Sequence, residues 1–192
     1  MADYRLYPEV RYPEFLHDSA RALAYGFAQA GRLNADAKRI FVMGHSAGAY
    51  NAAMLAFDPR WLAATGHAPT ELAGFIGLAG PYDFLPMTNP QTRPVFFHPN
   101  YPPHTQPLEH ASRQAPRSFL GAPENDRVVD PQRSTVGLAN RLRALGVPVE
   151  MHLYPRASHI TLAGAFAAPL RWIAPVLQEV LAFIEADLPA RP

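Results

Sequence analysis

Cysteine is absent from this chain of 192 residues. That excludes a disulfide framework, a thiolate nucleophile and a zinc–thiolate centre. Lysine is nearly absent too. Lys38 stands alone among 17 basic residues, set against 16 acidic ones for a net charge of +1. With no basic surplus and no run of like charge, the footprint of a nucleic-acid binder is missing, and no such partner is expected. No apolar run reaches the roughly 18–20 residues of a membrane span. The opening residues, MADYRLYPEV, lack the charged start and apolar stretch of a signal peptide. These absences together place the expected protein in the cytoplasm. What remains is 48% hydrophobic and 17% charged, the composition of a globular chain with a core of its own. One domain over residues 1–192 is expected.

The apolar pattern alternates between two periods. Phe15, Leu16, Ala20, Leu23, Ala24, Phe27 and Ala28 fall at helical spacing between Tyr12 and Gly31. Arg39 to Gly44, RIFVMG, is a short strand-like run, and Ser46 to Phe57, SAGAYNAAMLAF, reads as a helix stopped by Asp58 and Pro59. Leu72 to Gly80 and Arg117 to Gly121 are two further strand candidates. Gln132 to Leu145 has helical spacing, Val147 to Tyr154 alternates as a strand, and Ala163 to Asp187 reads as mostly helical with breaks near Pro169 and Pro175. Strands alternating with helices predict an α/β fold, a parallel sheet flanked by helices. Between the second and third strand runs lies a long segment, residues 81–116, in which nine of 36 residues are proline. It also carries Phe84, Phe96, Phe97, Tyr101 and three histidines, and it is long enough to be a lid or a pocket wall. Its aromatics fit a pocket wall and ordinary packing equally well.

The stretch VMGHSAGAY, residues 42–50, sets Gly44, Ser46 and Gly48 at alternate positions between a strand and a helix. A chain with this content of glycine and serine would carry such spacing by chance roughly 0.02 times. In that context a serine sits on a strained turn with its hydroxyl exposed, and the glycines let strand and helix approach closely. The N–H of Ala47 then heads the helix, where it can stabilise an oxyanion. A serine hydroxyl is a weak nucleophile and needs a base, which in turn needs an orienting group. His159, just after the last strand candidate, falls on the sheet edge that would carry Ser46. His45 is expected to point away, His98, His104 and His110 to be solvated in the loop, His17 and His67 to be on the surface, and His152 within a strand. Four carboxylates stand at strand ends: Asp83, Glu124, Asp126 and Asp130. Asp126 fits the chain order Ser, Asp, His; Asp83 is the alternative, or else a turn cap.

With those residues in place, the chain resembles the α/β-hydrolase fold. It looks most like bacterial carboxylesterases related to hormone-sensitive lipase and to kynurenine formamidase-like esterases. The matching stretches are DYRLYPE (3–9), GHSAGAY (44–50), GLAGPYDF (77–84), NDRVVDP (125–131) and YPRASHI (154–160). The resemblance implies Ser46 as nucleophile, Asp126 as acid, His159 as base and Ala47 as an oxyanion donor, with no cofactor and no metal. The chain departs from the pattern in two places. Pro123 stands where a glycine usually precedes the acid, and no His-Gly-Gly segment, the usual source of the other oxyanion donors, occurs anywhere.

The resemblance therefore implies an N-terminally truncated version, the C-terminal two-thirds of the usual fold, in which the strand before Ser46 has lost a neighbour. An open apolar edge is a pairing hazard. One of three remedies is expected: a longer coding sequence, a homodimer through the exposed edge, or N-terminal residues folding back over it. Three functional readings follow. The first is a serine carboxylesterase for small acyl esters; the second is an aryl formamidase acting on an N-formylkynurenine type of substrate; the third is a weakly active or inactive fragment serving as a binding module.

Overall fold

Four apolar runs form strands in the computed structural model, which describes residues 2–186. They are β1 (Phe41–His45), β2 (Gly74–Leu78), β3 (Ser118–Pro123) and β4 (Val149–Tyr154). All pair in parallel, in the order β1-β2-β3-β4. Among the described residues six α-helices accompany them: α1 (Glu14–Gln29), α2 (Ala47–Phe57), α3 (Pro59–Ala63), α4 (Gly137–Ala144), α5 (His159–Gly164) and α6 (Val176–Glu185). This is the expected parallel sheet flanked by helices.

The period-two alternation of the central strands divides the core into two layers. Phe75 of β2 and Leu120 of β3 join α1, α2 and α4 on one face. Ile76 and Leu78 of β2 and Phe119 of β3 meet α5 and α6 on the other. Burying side chains of this size contributes about 1.5–3 kcal/mol each. α2 is buried along nearly its whole length, from Ala49 to Phe57. Its alanines suit a helix wedged between the sheet and α1. Across that second contact, Asn51 Nδ2 donates to Ser19 Oγ at 3.2 Å, and Ser19 Oγ donates back to the Phe15 carbonyl at 2.8 Å. Asp58 ends α2 and caps α3, accepting from the Arg60 N–H at 3.1 Å, with Pro59 at the first helical position, where no N–H is needed.

The structure revises two expectations about elements. The C-terminal stretch breaks near Pro169 and Pro175 as expected, but its first helix does not start at Ala163. α5 starts earlier, at His159, because Ser158 and Thr161 form a reciprocal cap, and α6 starts only after Pro175; Asp187, the predicted end, lies outside the described residues. β4 shows partial burial along its length instead of clean alternation, as befits a strand at the sheet margin. The segment 81–116 holds two short 3-10 turns, Arg93–Phe96 and Pro107–His110. Phe84 and Phe96 pack with Tyr50, their rings 5.7 and 5.6 Å from it, and Phe96 also packs with Tyr12 and Phe15. For these two rings the segment serves as packing over α1 and α2.

β1 is at the margin of the sheet, and among the described residues no strand pairs with its outer side. The N-terminal residues do not fold back along it as a strand. Instead Tyr4 packs against the α1/α2 core, Arg5 forks onto Asp18 with contacts of 2.8 Å, and the Tyr12 N–H reaches the Val95 carbonyl at 3.0 Å. No helix among the described residues is long and apolar enough to cross a membrane.

Candidate active site

A parallel sheet brings the C-terminal ends of its strands to one edge, and here three loops meet there. Ser46 follows β1, Asp126 follows β3, and His159 follows β4. The Ser46 N–H donates to the Leu78 carbonyl at 2.9 Å, and the Glu124 N–H to the Tyr154 carbonyl at 3.1 Å. These bonds tie neighbouring strand ends together just where the loops depart.

Ser46 has φ 54° and ψ −123°, a left-handed conformation that costs a non-glycine residue of order 1–3 kcal/mol. The turn survives because Gly44 lets the strand and helix close on each other. A Cβ at Gly44 would overlap the carbonyl of Gly48. The expectation that both glycines serve this approach holds for Gly44 alone, since a Cβ added at Gly48 meets nothing. What Gly44 needs from position 48 is its backbone. Ala47, exposed, is the first residue of α2, so its N–H is among the donors left free at a helix head.

The structure brings Ser46, His159 and Asp126 together. His159 Nε2 lies 2.8 Å from Ser46 Oγ, and His159 Nδ1 lies 2.7 Å from Asp126 Oδ2. The Asp126 side chain is fully buried, and that of His159 is 11% exposed. The two carboxylate oxygens have separate tasks. Oδ1 accepts the N–H groups of Val128 and Val129 at 2.8 and 3.2 Å, which leaves Oδ2 for the imidazole. A buried carboxylate facing Nδ1 selects the tautomer with the proton on Nδ1. Nε2 is then an acceptor aimed at the serine hydroxyl.

Asp83 does not reach this cluster by any hydrogen bond among the described residues. Its Oδ1 accepts from Arg133 Nη2 at 2.6 Å, and Arg133 also donates to the Leu85 carbonyl. Asp130 caps the turn that follows, accepting the N–H groups of Gln132 and Arg133; Glu124 is exposed. His98 and His104 are exposed as expected, while His110 tucks its Nε2 to 3.6 Å from Asp58 Oδ2. His17 and His67 are half-buried against Trp61 and Phe27, and His152 stacks on Phe119 from β4. Among the described residues no group of three or more acidic, histidine or cysteine side chains is placed to hold a metal ion.

His45 does not leave the site as expected. Its Nε2 is 2.7 Å from the backbone oxygen of His159, and the two rings lie 5.0 Å apart. Burial holds its pKa below the ordinary histidine value, against the opposing pull of that hydrogen bond. Sequence reasoning also missed the Val128 and Val129 N–H groups and the Ser158–Thr161 cap. The last was visible as a serine followed three residues later by a threonine. The other two depend on loop closure and leave no local signal.

The model of the BD-FAE family matches residues 1–142. Esterase LipC of Mycobacterium tuberculosis (strain ATCC 25618 / H37Rv) is 26% identical over 160 residues, which cover 74% of this chain and 40% of that protein. The chain therefore spans well under half the length of that curated relative. Among solved structures, esterase LipW of Mycobacterium marinum is 27% identical with a TM-score of 0.70, covering 95% of this chain and 59% of that one. An acetyl ester-xyloside bifunctional hydrolase from Caldicellulosiruptor lactoaceticus has a TM-score of 0.75 at 20% identity, covering 95% of this chain and 70% of that one. The family match spans most of the chain and the structural likeness nearly all of it: the chain belongs to the BD-FAE family, and its fold is that of the α/β-hydrolases.

Proposed function

We propose that this protein is a serine hydrolase that cleaves small acyl esters, with Ser46 as nucleophile, His159 as base and Asp126 as the orienting acid. One observation carries the reading: a single imidazole lies within hydrogen-bond distance of both the Ser46 hydroxyl and the buried Asp126 carboxylate. The names of the relatives, esterases and an ester-cleaving hydrolase, support it.

Ser46 Oγ attacks the ester carbonyl carbon while its proton passes to His159 Nε2. Asp126, already accepting from Nδ1–H, stabilises the imidazolium that forms. The carbonyl oxygen, now negative, accepts from the Ala47 N–H at the head of α2. Collapse of the tetrahedral intermediate breaks the bond to the alcohol, which leaves with the proton from Nε2. Water then repeats the sequence on the acyl-enzyme, frees the acid and restores Ser46. Each proton that leaves oxygen in one step returns to oxygen in the next, through the same nitrogen.

A fluorophosphonate probe is the direct test. It should label Ser46 in the folded protein, and p-nitrophenyl acetate should be hydrolysed. A folded protein that resists the probe and turns over no ester would overturn the reading and favour a binding role. Parallel rates on a formyl anilide separate an ester hydrolase from an aryl formamidase; faster cleavage of the anilide than of acetyl and butyryl esters would shift the assignment to the amide.

A further inference from the structure

We infer that His45 is a positioning residue: as a neutral imidazole it donates Nε2–H to the backbone carbonyl of His159 and thereby holds the base in line with Ser46. The inference rests on the serine-hydrolase reading given above.

The geometry begins with chain connectivity. Ser46 is fixed by its neighbours on β1 and α2, whereas His159 is the first residue of α5, a helix of six residues that follows a loop. The Ser158–Thr161 cap sets the local geometry of that helix, but a cap within one short segment cannot fix the distance to another strand. Leu162, fully buried, packs the helix onto the sheet, and the His45 bond adds the direct tie to the end of β1. It runs from the residue beside Ser46 to the residue whose side chain must reach Ser46, 114 positions away, over 2.7 Å. Nucleophile and base are thus joined twice, once through the Ser46 hydroxyl and once through the main chain of His159.

The acceptor fixes the chemistry of the donor. A carbonyl oxygen only accepts, so the facing nitrogen of His45 must carry the proton. On balance the surroundings favour a neutral ring, burial most of all. Burial disfavours an imidazolium, and the His159 ring, 5.0 Å away, becomes cationic during the proposed reaction. Asp126 pulls the other way, but its side chain is committed to His159 and to the Val128 and Val129 N–H groups. A neutral Nε2–H imidazole supplies the donor without placing a second positive charge beside the one that catalysis creates.

Two measurements test this. Long-range 1H–15N NMR on 15N-histidine-labelled protein reads the tautomer without any need for activity, and it should give His45 as neutral with its proton on Nε2. A proton on Nδ1 alone, or a charged ring at neutral pH, would overturn the inference. The second measurement compares fluorophosphonate labelling rates and p-nitrophenyl acetate kinetics for wild type, His45→Gln and His45→Phe. Gln keeps a donor near the Nε2 position and cannot titrate; Phe keeps an apolar-faced ring and loses the donor. His45→Phe should lose about tenfold or more in labelling rate and kcat, with KM within about twofold, as expected when a catalytic group drifts from its aligned position. His45→Gln should stay within about threefold of wild type. Equal rates for Phe and wild type, or equal losses for Phe and Gln, sink the positioning role. A wild type that takes no label removes the hydrolase reading, and with it the catalytic meaning of the contact, while the NMR still decides whether the bond exists.

Discussion

Replacing Asp126 by asparagine should do more harm than its small change in size suggests. The Oδ1 position is held by the Val128 and Val129 N–H groups, so the amide oxygen of Asn takes that place. Its NH2 then faces His159 Nδ1 and donates, which moves the ring proton to Nε2 and blocks acceptance from Ser46. Asp126→Asn is therefore expected to lower kcat by about 10³–10⁴-fold at near-wild-type stability, read from ester turnover and a urea melt side by side. Ser46→Ala should abolish fluorophosphonate labelling outright and reduce turnover at least as far. Variants that keep wild-type turnover would remove Ser46 and Asp126 from the chemistry. The choice between Asp83 and Asp126 shows how a residue's role becomes legible. Both stand at strand ends in the sequence, where chain order favours Asp126, and the folded chain gives Asp83 to Arg133 and Asp126 to His159.

Elements carry their own tests, one at the β1–α2 junction and one at the α2–α3 junction. Gly44→Ala forces a methyl into the Gly48 carbonyl, and neither strand nor helix can yield without moving Ser46. A loss of about 2–4 kcal/mol in unfolding free energy is expected, whereas Gly48→Ala, with open space around its Cβ, should change stability far less. Similar costs at the two positions would contradict the close-approach argument. At the second junction Asp58 is nearly inaccessible, with a side chain 2% exposed, and Arg60 forks onto it. Burial pushes the Asp58 carboxyl up, but the Arg60 hydrogen bonds outweigh burial and hold it below its ordinary value of 3.8. The sign follows: a lowered folded-state value adds stability above the ordinary carboxylate range, and that stability is lost as pH falls through the folded value. Asp58→Asn should thus cost about 1–3 kcal/mol at pH 7, and the gap between variant and wild type should narrow below about pH 4. Urea melts at the two pH values check it; a gap that widens in acid would reverse the assignment. Half of Arg60 is in water, its side chain 54% exposed, which keeps the cost at the lower end of that range.

The sheet ends on β1 with its outer side unpaired among the described residues, and Met43 in that strand is 45% exposed. Such a margin is a template for another strand. We propose that a second copy pairs there, giving a concentration-dependent dimer by sedimentation velocity, and that Met43→Lys shifts the equilibrium toward monomer. A wild type that stays monomeric across the micromolar range, or a lysine variant that dimerises equally, would remove this pairing.

Legible in the amino-acid order were the alternation of strands and helices, the parallel sheet, the turn at Gly44-His45-Ser46-Ala47-Gly48 and the pairing of Ser46 with His159 across 113 positions. These are consequences of local periodicity, of glycine at fixed offsets and of the rule that parallel strands finish at one edge. Most of the loop contacts became visible only in the folded chain. Folding gave Asp83 to Arg133, turned Phe84 and Phe96 into packing for Tyr50 and brought His45 onto the carbonyl of His159. The reason is physical: periodicity fixes which face a residue occupies, while the partner of a loop side chain depends on how chain segments tens of residues apart close on one another.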